Sequence, residues 1–293
     1  MKKFLKEKNS FFKKINSFSQ TLAEQITDKN QWTIRGFIDV SQNIYVISPD
    51  TKVISKILEL HLFPLFMRFA EENGFTIELA SHQNWYPDLT FISKANPKVK
   101  FAVDLKTTYR DEDNPQYCNG FTLGSHGEYF TNRQSTKNIQ YPYNSYAGHF
   151  CLGIIYSRAE LDRLEETKKY SIDDLNAIPP TISQFTFFVQ EKWRIASDTG
   201  GSGNTANIGS ITFIDDILSG NGVFAKAGEA IFDDYWANYK KMPVTDSSGN
   251  HKPLSSFKEY LLFKGLPSEL NNEKHTKKTD KKKGKKIGKN KNG

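Results

Sequence analysis

The stretch from Pro87 to Tyr109, PDLTFISKANPKVKFAVDLKTTY, constrains the fold of this chain more than any other. DLTFIS has the composition of a strand, Asn96-Pro97 within the segment Lys94 to Lys98 is a turn signal, and Val99 opens the next strand. Two adjacent antiparallel strands bring Asp88 near Asp104. Along VKFAVDLKTTY the side chains alternate between faces, so Ala102, Asp104 and Lys106 share one side while Phe101, Val103 and Leu105 share the other. Asp104 and Lys106 therefore point together into one site, with Asp88 beside them.

Those residue types suit one chemistry. A phosphodiester repels hydroxide, and its hydrolysis is helped by a divalent cation that neutralises the phosphate, lowers the pKa of a bound water and supports the leaving oxygen. Two carboxylates can hold such a cation, and the lysine adds a point charge. Magnesium fits best because it prefers hard oxygen ligands and is commonly held by one or two carboxylates plus substrate phosphate, with manganese as a substitute. An Asp-x-Lys triplet alone is the ordinary solvated face of a strand. The Pro-Asp on the neighbouring strand turns the pattern toward catalysis.

At 293 residues the chain can bury one large core or two modest ones, and it holds no internal repeat and no transmembrane run. The basic start MKKFLKEKNSFFKKINS lacks the apolar region and cleavage site of a signal peptide, so a soluble, cytoplasmic protein without a membrane partner is expected. Cys118 and Cys151 imply no disulfide framework, and the six histidines offer no zinc-ligand spacing. Any metal is carboxylate-bound. Residues 274–293 hold ten lysines against Asp280, which leaves the other residues at −2 of the total +7. The first fourteen residues hold six lysines against Glu7, so residues 15–273 carry −7. Residues 1–16 and 266–293 read as solvated basic arms around a body spanning 17–265, serving solubility or loose phosphate contact. A body of this charge that binds DNA does so through a shaped cleft rather than a uniformly positive surface.

The periodicity predicts a helix over Ser17–Thr27, short strands at WTIRGFI and NIYVI, and a long helix after an Asp50 N-cap that passes Pro64 and closes at Gly74. Within that helix Glu59 reads either as a solvent-facing partner of Lys56 or as a third acid leaning toward the site. FTIEL and HFCLGIIYS read as strands, SIDDLNAI as a short helix, and QFTFFVQ with KWRIAS as a hairpin. The fold class is α/β (α+β), a mixed central sheet flanked by helices. TGGSGNTANIGS, residues 199–210, is too rich in glycine for the interior of an element. It reads either as a flexible linker or as a loop whose Ser202, Asn204, Thr205 and Asn207 can address base edges, with glycines allowing close approach.

DTKVISKILEL, HQNWYPDLT, VDLKTTY, GFTLG, TKNIQYP, QEKW, GSGNTANIGSI and DYWANY together resemble the EcoRV-type restriction endonucleases of the PD-(D/E)XK nuclease superfamily, from about Thr27 to about Tyr239. The resemblance implies a restriction-endonuclease-like core and a homodimer that grips double-stranded DNA and cuts each strand of a palindrome with magnesium. It implies that Asp88 and Asp104 bind metal, that Lys106 orients or activates the water, and that Glu59 is an accessory acid near the metal. Gly201, Ser202, Gly203, Asn204 and Thr205 match the family's major-groove loop, and Gln83 and Asn84 its minor-groove loop. Lys52, Thr107 and Thr108 match positions near the DNA backbone or the dimer-linked switch. The site it suggests is GATATC, cut bluntly at its centre, with a companion DNA methyltransferase in the same system. Two departures stand out: Ala206 replaces a second threonine of the loop, and SHGEYFTNRQS is longer than in the family and brings in Glu128.

Two other readings make different demands. A structure-selective repair nuclease would use the same chemistry but leave no fixed band pattern. A non-cleaving DNA-binding protein on the same fold has no chemical need for Asp88, Asp104 and Lys106 together.

Overall fold

The computed structural model describes residues 4–82, 84–159, 167–201, 206–245 and 249–275. Helix α1 covers Leu5–Ile26 and buries Phe11, Ile15, Ser19, Leu22 and Ile26, a stripe at three- and four-residue spacing. Its Phe11 ring stacks on Phe101 at 4.2 Å and Phe18 on Phe69 at 4.6 Å, while Lys8 forms ion pairs with Glu191 and, at 3.5 Å, with Glu229. The stretch read from its charge as a solvated arm over residues 1–16 is thus, from Leu5 onward, the first half of a docked helix. Lys6, Lys13 and Lys14 are exposed, while Lys8 and the apolar stripe face the body.

Strands β1 (Thr27–Asp28) and β2 (Gln31–Trp32) precede a small hairpin of β3 (Gly36–Ile38) and β4 (Ile44–Val46). Helix α2 (Thr51–Glu72) starts where expected, because the Asp50 carboxylate accepts hydrogen bonds from the Lys52 and Val53 amides. It continues through Pro64, and Gly74 follows with φ of 76°, a conformation that would strain a residue carrying a Cβ. Next come β5 (Phe75–Leu79), β6 (Leu89–Ser93), β7 (Lys100–Tyr109), β8 (Thr122–Ser125), the short α3 (Glu128–Thr131), β9 (Gly148–Arg158) and β10 (Lys169–Tyr170). SIDDLNAI forms a 3-10 helix over Ile172–Ala177, capped by Ser171.

Strand β11 (Ile182–Glu191) does not fold back as a hairpin. It runs into a helical turn, α4 (Lys192–Ile195), and then into β12 (Ala196–Gly200), which pairs with β13 (Asn207–Ser210) in another sheet. Alternation within QFTFFVQ and KWRIAS cannot tell a reversal from a change of sheet. The turn that buries Lys192 and Ile195 decides it. Helices α5 (Ile214–Ser219) and α6 (Glu229–Asn238), the hairpin β14 (Pro243–Thr245) with β15 (His251–Pro253), and α7 (Phe257–Phe263) complete the body.

The body also extends past residue 265. Leu266 and Leu270 pack against the core, Asn271 and Asn272 are buried, and His275 Nε2 lies 3.0 Å from Asp216. Residues 266–275, expected to belong to a lysine-rich arm, are therefore part of the body, and residues 276–293 lie outside the described residues. No described helix is long and apolar enough to cross a membrane.

The main sheet has seven strands in the order β1-β2-β11-β9-β7-β6-β5 and is mixed: β7 and β9 are parallel, and every other neighbouring pair is antiparallel. Side chains separate by parity onto its two faces. Phe101, Val103, Leu105, Phe150, Leu152 and Ile154 pack with α1 and α2 on one face. Ala102, Cys151, Ile155 and Phe188 pack on the other, with α6 and α7 beyond. Both cysteines are buried and free. A second sheet, β12-β13-β8, stands beside this latter face.

Gly153 of β9 pairs with Lys106 of β7 on one side and Phe188 of β11 on the other. A Cβ there would sit 2.1 Å from the Phe188 ring, so the ring occupies the place a side chain would take. Gly153→Ala should destabilise the protein by about 1–3 kcal/mol, the cost of overpacking a buried sheet. Denaturant unfolding with an unchanged midpoint would show that Phe188 moves aside freely.

Candidate active site

The β6·β7 register ends with Leu89 opposite Val103, so Asp88 lies one step beyond, at the level of Asp104. The chain before it is held by a bridge between Tyr86 and Ile139, in which the Tyr86 amide donates to the Asn138 carbonyl at 3.0 Å and Gln140 N to Tyr86 O at 2.8 Å. The Leu105 amide donates to Asp88 Oδ2 at 2.7 Å. Lys106 Nζ lies 2.9 Å from Asp104 Oδ2 and 3.4 Å from Asp88 Oδ2. The expected trio therefore converges. Alternation brings Asp104 and Lys106 to one face, and the short turn brings Asp88 beside them.

The two carboxylates differ. The Asp104 side chain is only 6% exposed and that of Asp88 33%. Burial pushes the Asp88 carboxyl up to about 6, against the pull of Lys106 and with the help of the Asp104 charge. Burial acts on Asp104 in the same direction, but the charges of Lys106 and Lys192 and the hydrogen bonds of Lys106 and Asp88 outweigh it and hold Asp104 below its ordinary value. A proton on this pair therefore rests with Asp88. Lys106 is held above its ordinary value because, although burial disfavours its charge, Asp104 and Asp88 flank it. It stays an ammonium.

Two open cavities meet at the trio. One, of about 860 Å³, is lined by Lys52, Glu59, Asp88, Lys106, Thr107 and Thr108 among others. The second, of about 360 Å³, is lined by Asn84, Asp88, Asp104, Lys106, Glu128 and Asn207 among others. Residues expected to face DNA thus border the same cleft as the carboxylates. Glu59 stands on the cleft wall and pairs with Lys56 at 2.8 Å, so the surface ion pair forms. Among the described residues no three His, Cys, Asp or Glu side chains converge on a point that could hold an ion, so Glu59 stands apart from the aspartates. Gly201 caps the β12–β13 hairpin, its amide donating to Asn207 O at 2.9 Å, and the His126 amide donates to Ala206 O at 2.8 Å. Gln83 and the loop residues Ser202, Gly203, Asn204 and Thr205 lie outside the described residues.

The sequence did not point to two supporting groups. Tyr86 hydroxyl lies 2.9 Å from His149 Nδ1, and His149 Nε2 lies 3.0 Å from the Tyr143 carbonyl. Burial, reinforced by nearby Lys192 and Arg133, holds His149 well below its ordinary value, so the ring is neutral. A carbonyl only accepts, so Nε2 carries the hydrogen and Nδ1 accepts from Tyr86, bracing the residue that leads into Pro87-Asp88. The other group is Lys192, buried at the start of α4, where burial pushes its ammonium down to about 8 despite the attraction of Asp104.

A paired carboxylate set and a lysine on a sheet facing a cleft provide hard oxygen donors and a fixed positive charge, which suits an anionic ester. Comparison with known proteins agrees. The family described as "Restriction endonuclease EcoRV" matches residues 28–265. The chain is 39% identical over 227 residues to the type II restriction enzyme EcoRV of Escherichia coli, covering 77% of this chain and 90% of that protein. The chain therefore belongs to the EcoRV family of type II restriction endonucleases, enzymes that are site-specific deoxyribonucleases.

Proposed function

We propose that this enzyme cuts both strands of double-stranded DNA at the palindrome GATATC, bluntly at its centre, in a reaction that requires magnesium. The observation that carries the reading is the convergence of Asp88, Asp104 and Lys106 where two cavities meet. The donor set fits a hard divalent cation, since two crowded carboxylates, one of them pushed up to about 6, gain from a positive charge between them. Asp88 and Asp104 would hold it, with Glu59 as an acid on the cleft wall. Bound there, magnesium supplies a polarised water and neutralises phosphate charge. Lys106, fixed by both aspartates, steadies the scissile phosphate and orients the attacking water. Lys52, Thr107 and Thr108 line the larger cavity as backbone contacts. Gln83 and Asn84 serve the minor groove, and the loop from Gly201 to Thr205 with Asn207 serves the major groove.

A palindrome calls for two copies related by a two-fold axis. The exposed apolar side chains Phe37 (52%), Ile38 (59%), Val40 and Tyr45 around the β3–β4 hairpin support a homodimer. A host carrying this activity in its cytoplasm protects its own sites, so a companion methyltransferase of the same specificity completes the system. Incubating the purified protein with plasmid and magnesium and sequencing the cut ends tests the reading: discrete blunt fragments ending in GAT and ATC are expected. Smears or junction cuts would indicate a structure-selective nuclease, and binding without nicking a non-cleaving protein.

Asp88 also sets a pH dependence. Its value of about 6 lies above the ordinary 3.8, so below that pH protons compete with the cation for the carboxylate. At subsaturating magnesium the cleavage rate should fall by about tenfold per pH unit below 6, and added magnesium should restore it. A fall that magnesium does not reverse counts against the assignment of Asp88.

A further inference from the structure

Lys192 is 2% exposed, and its Nζ has no hydrogen-bond partner among the described residues. The ammonium sits 4.1 Å over the Tyr86 ring. Gly124 stands in front of it with φ of 89°, and a Cβ there would come within 3.0 Å of Nζ and 3.3 Å of the Tyr129 hydroxyl. A side chain at 124 would crowd this amine, which lies behind the smaller cavity lined by Gly124, Tyr86 and Asp104. The charge that attracts it most is Asp104, which Lys106 already contacts.

A buried, unpartnered ammonium is costly, and an apolar side chain would fill the same space more cheaply. What it does here follows from counting charge. Asp88 and Asp104 contribute two negative charges, and Lys106 and Lys192 two positive ones, so the cluster is neutral without any ion. A divalent cation arriving alone leaves two uncompensated positive charges in a largely buried site. Arriving against a phosphodiester, it leaves one. Without Lys192 the cluster starts at −1 and attracts the cation by itself.

We propose that Lys192 is a positioning residue that balances the charge of the aspartate pair, so that the divalent cation binds firmly only together with a DNA phosphate. The inference rests on the reading of Asp88 and Asp104 as cation ligands. It makes cation uptake and DNA binding mutually dependent, with each raising the other's affinity by the same factor.

The test is calorimetric titration of the full chain with calcium alone, then with calcium in the presence of a duplex containing the site. Lys192→Met should bind calcium without DNA at least about tenfold more tightly than the unmodified protein, because a positive charge that acts on Asp104 has been removed from beside the site. The gain in calcium affinity that the duplex confers should shrink correspondingly, while Lys192→Arg, which keeps the charge, should behave like the unmodified protein. Equal or weaker calcium binding by Lys192→Met would overturn the proposal. Asp104→Asn should abolish this binding; if it does not, the reading of the aspartates fails whatever Lys192 does. Loss of cooperative melting in both Lys192→Met and Lys192→Gln would also overturn it, since removing an unpartnered charge should not unfold the protein.

Discussion

Asp104→Asn should reduce the cleavage rate by about 10⁴-fold or more while the protein still folds and binds duplex, because the substitution removes the carboxylate that Lys106 and Lys192 hold below its ordinary value. Asp88 cannot replace it, since burial makes Asp88 the member of the pair that takes up a proton first as pH falls toward about 6. Asparagine keeps the shape but leaves Lys106 with one carboxylate partner, at 3.4 Å, and leaves Lys192 without its main attraction. A stability loss of about 1–3 kcal/mol is expected alongside. Plasmid nicking timed against a melting curve separates the two effects, and residual cutting within tenfold of the unmodified enzyme in a folded variant would remove Asp104 from the machinery.

Lys106→Met should cost about 10²–10⁴-fold in rate, the range associated with a positioned group acting on the nucleophile or the phosphate. The methionine fills the same space, so the strand register should survive. Without the ammonium between them the aspartates repel more strongly, and the Asp88 carboxyl should rise further. Lys106→Arg should recover little, because a planar fork of donors does not reproduce a compact charge held at 2.9 Å. Single-turnover cleavage at saturating magnesium checks this, and recovery to near the unmodified rate in Lys106→Arg would mean that charge alone matters.

The convergence of Asp88, Asp104 and Lys106 was legible because period-two alternation and a short antiparallel turn are local properties. PDLTFIS and VKFAVDLKTTY contain everything needed to bring Asp88, Asp104 and Lys106 together. The Asp50 cap and the helix end at Gly74 were legible for the same reason. The start of α1 is hidden in the sequence by its lysines, whose charge masks the helical spacing of Phe11, Ile15 and Leu22. Leu266, Leu270 and Asn272 were assigned to the arm because the lysines that follow dominate the composition there. Lys192 was not legible at all. In QEKWR it looks like one more surface lysine, and its burial depends on Tyr86, Gly124 and Asp104, which only the tertiary fold gathers.

Asp104 and Lys106 lie on β7, between β6 and β9 in the middle of the main sheet, whereas Asn84, Gly201 and Asn207 sit in turns or on the smaller sheet at its rim. The blade of the enzyme is thus built into its keel, and a fluctuation that misaligns it must unzip the middle of the molecule. The rim carries no such burden. If the proposed roles hold, its segments can be rewritten to address other sequences while the centre stays true, so one scaffold could supply many cutters that differ only in what they read.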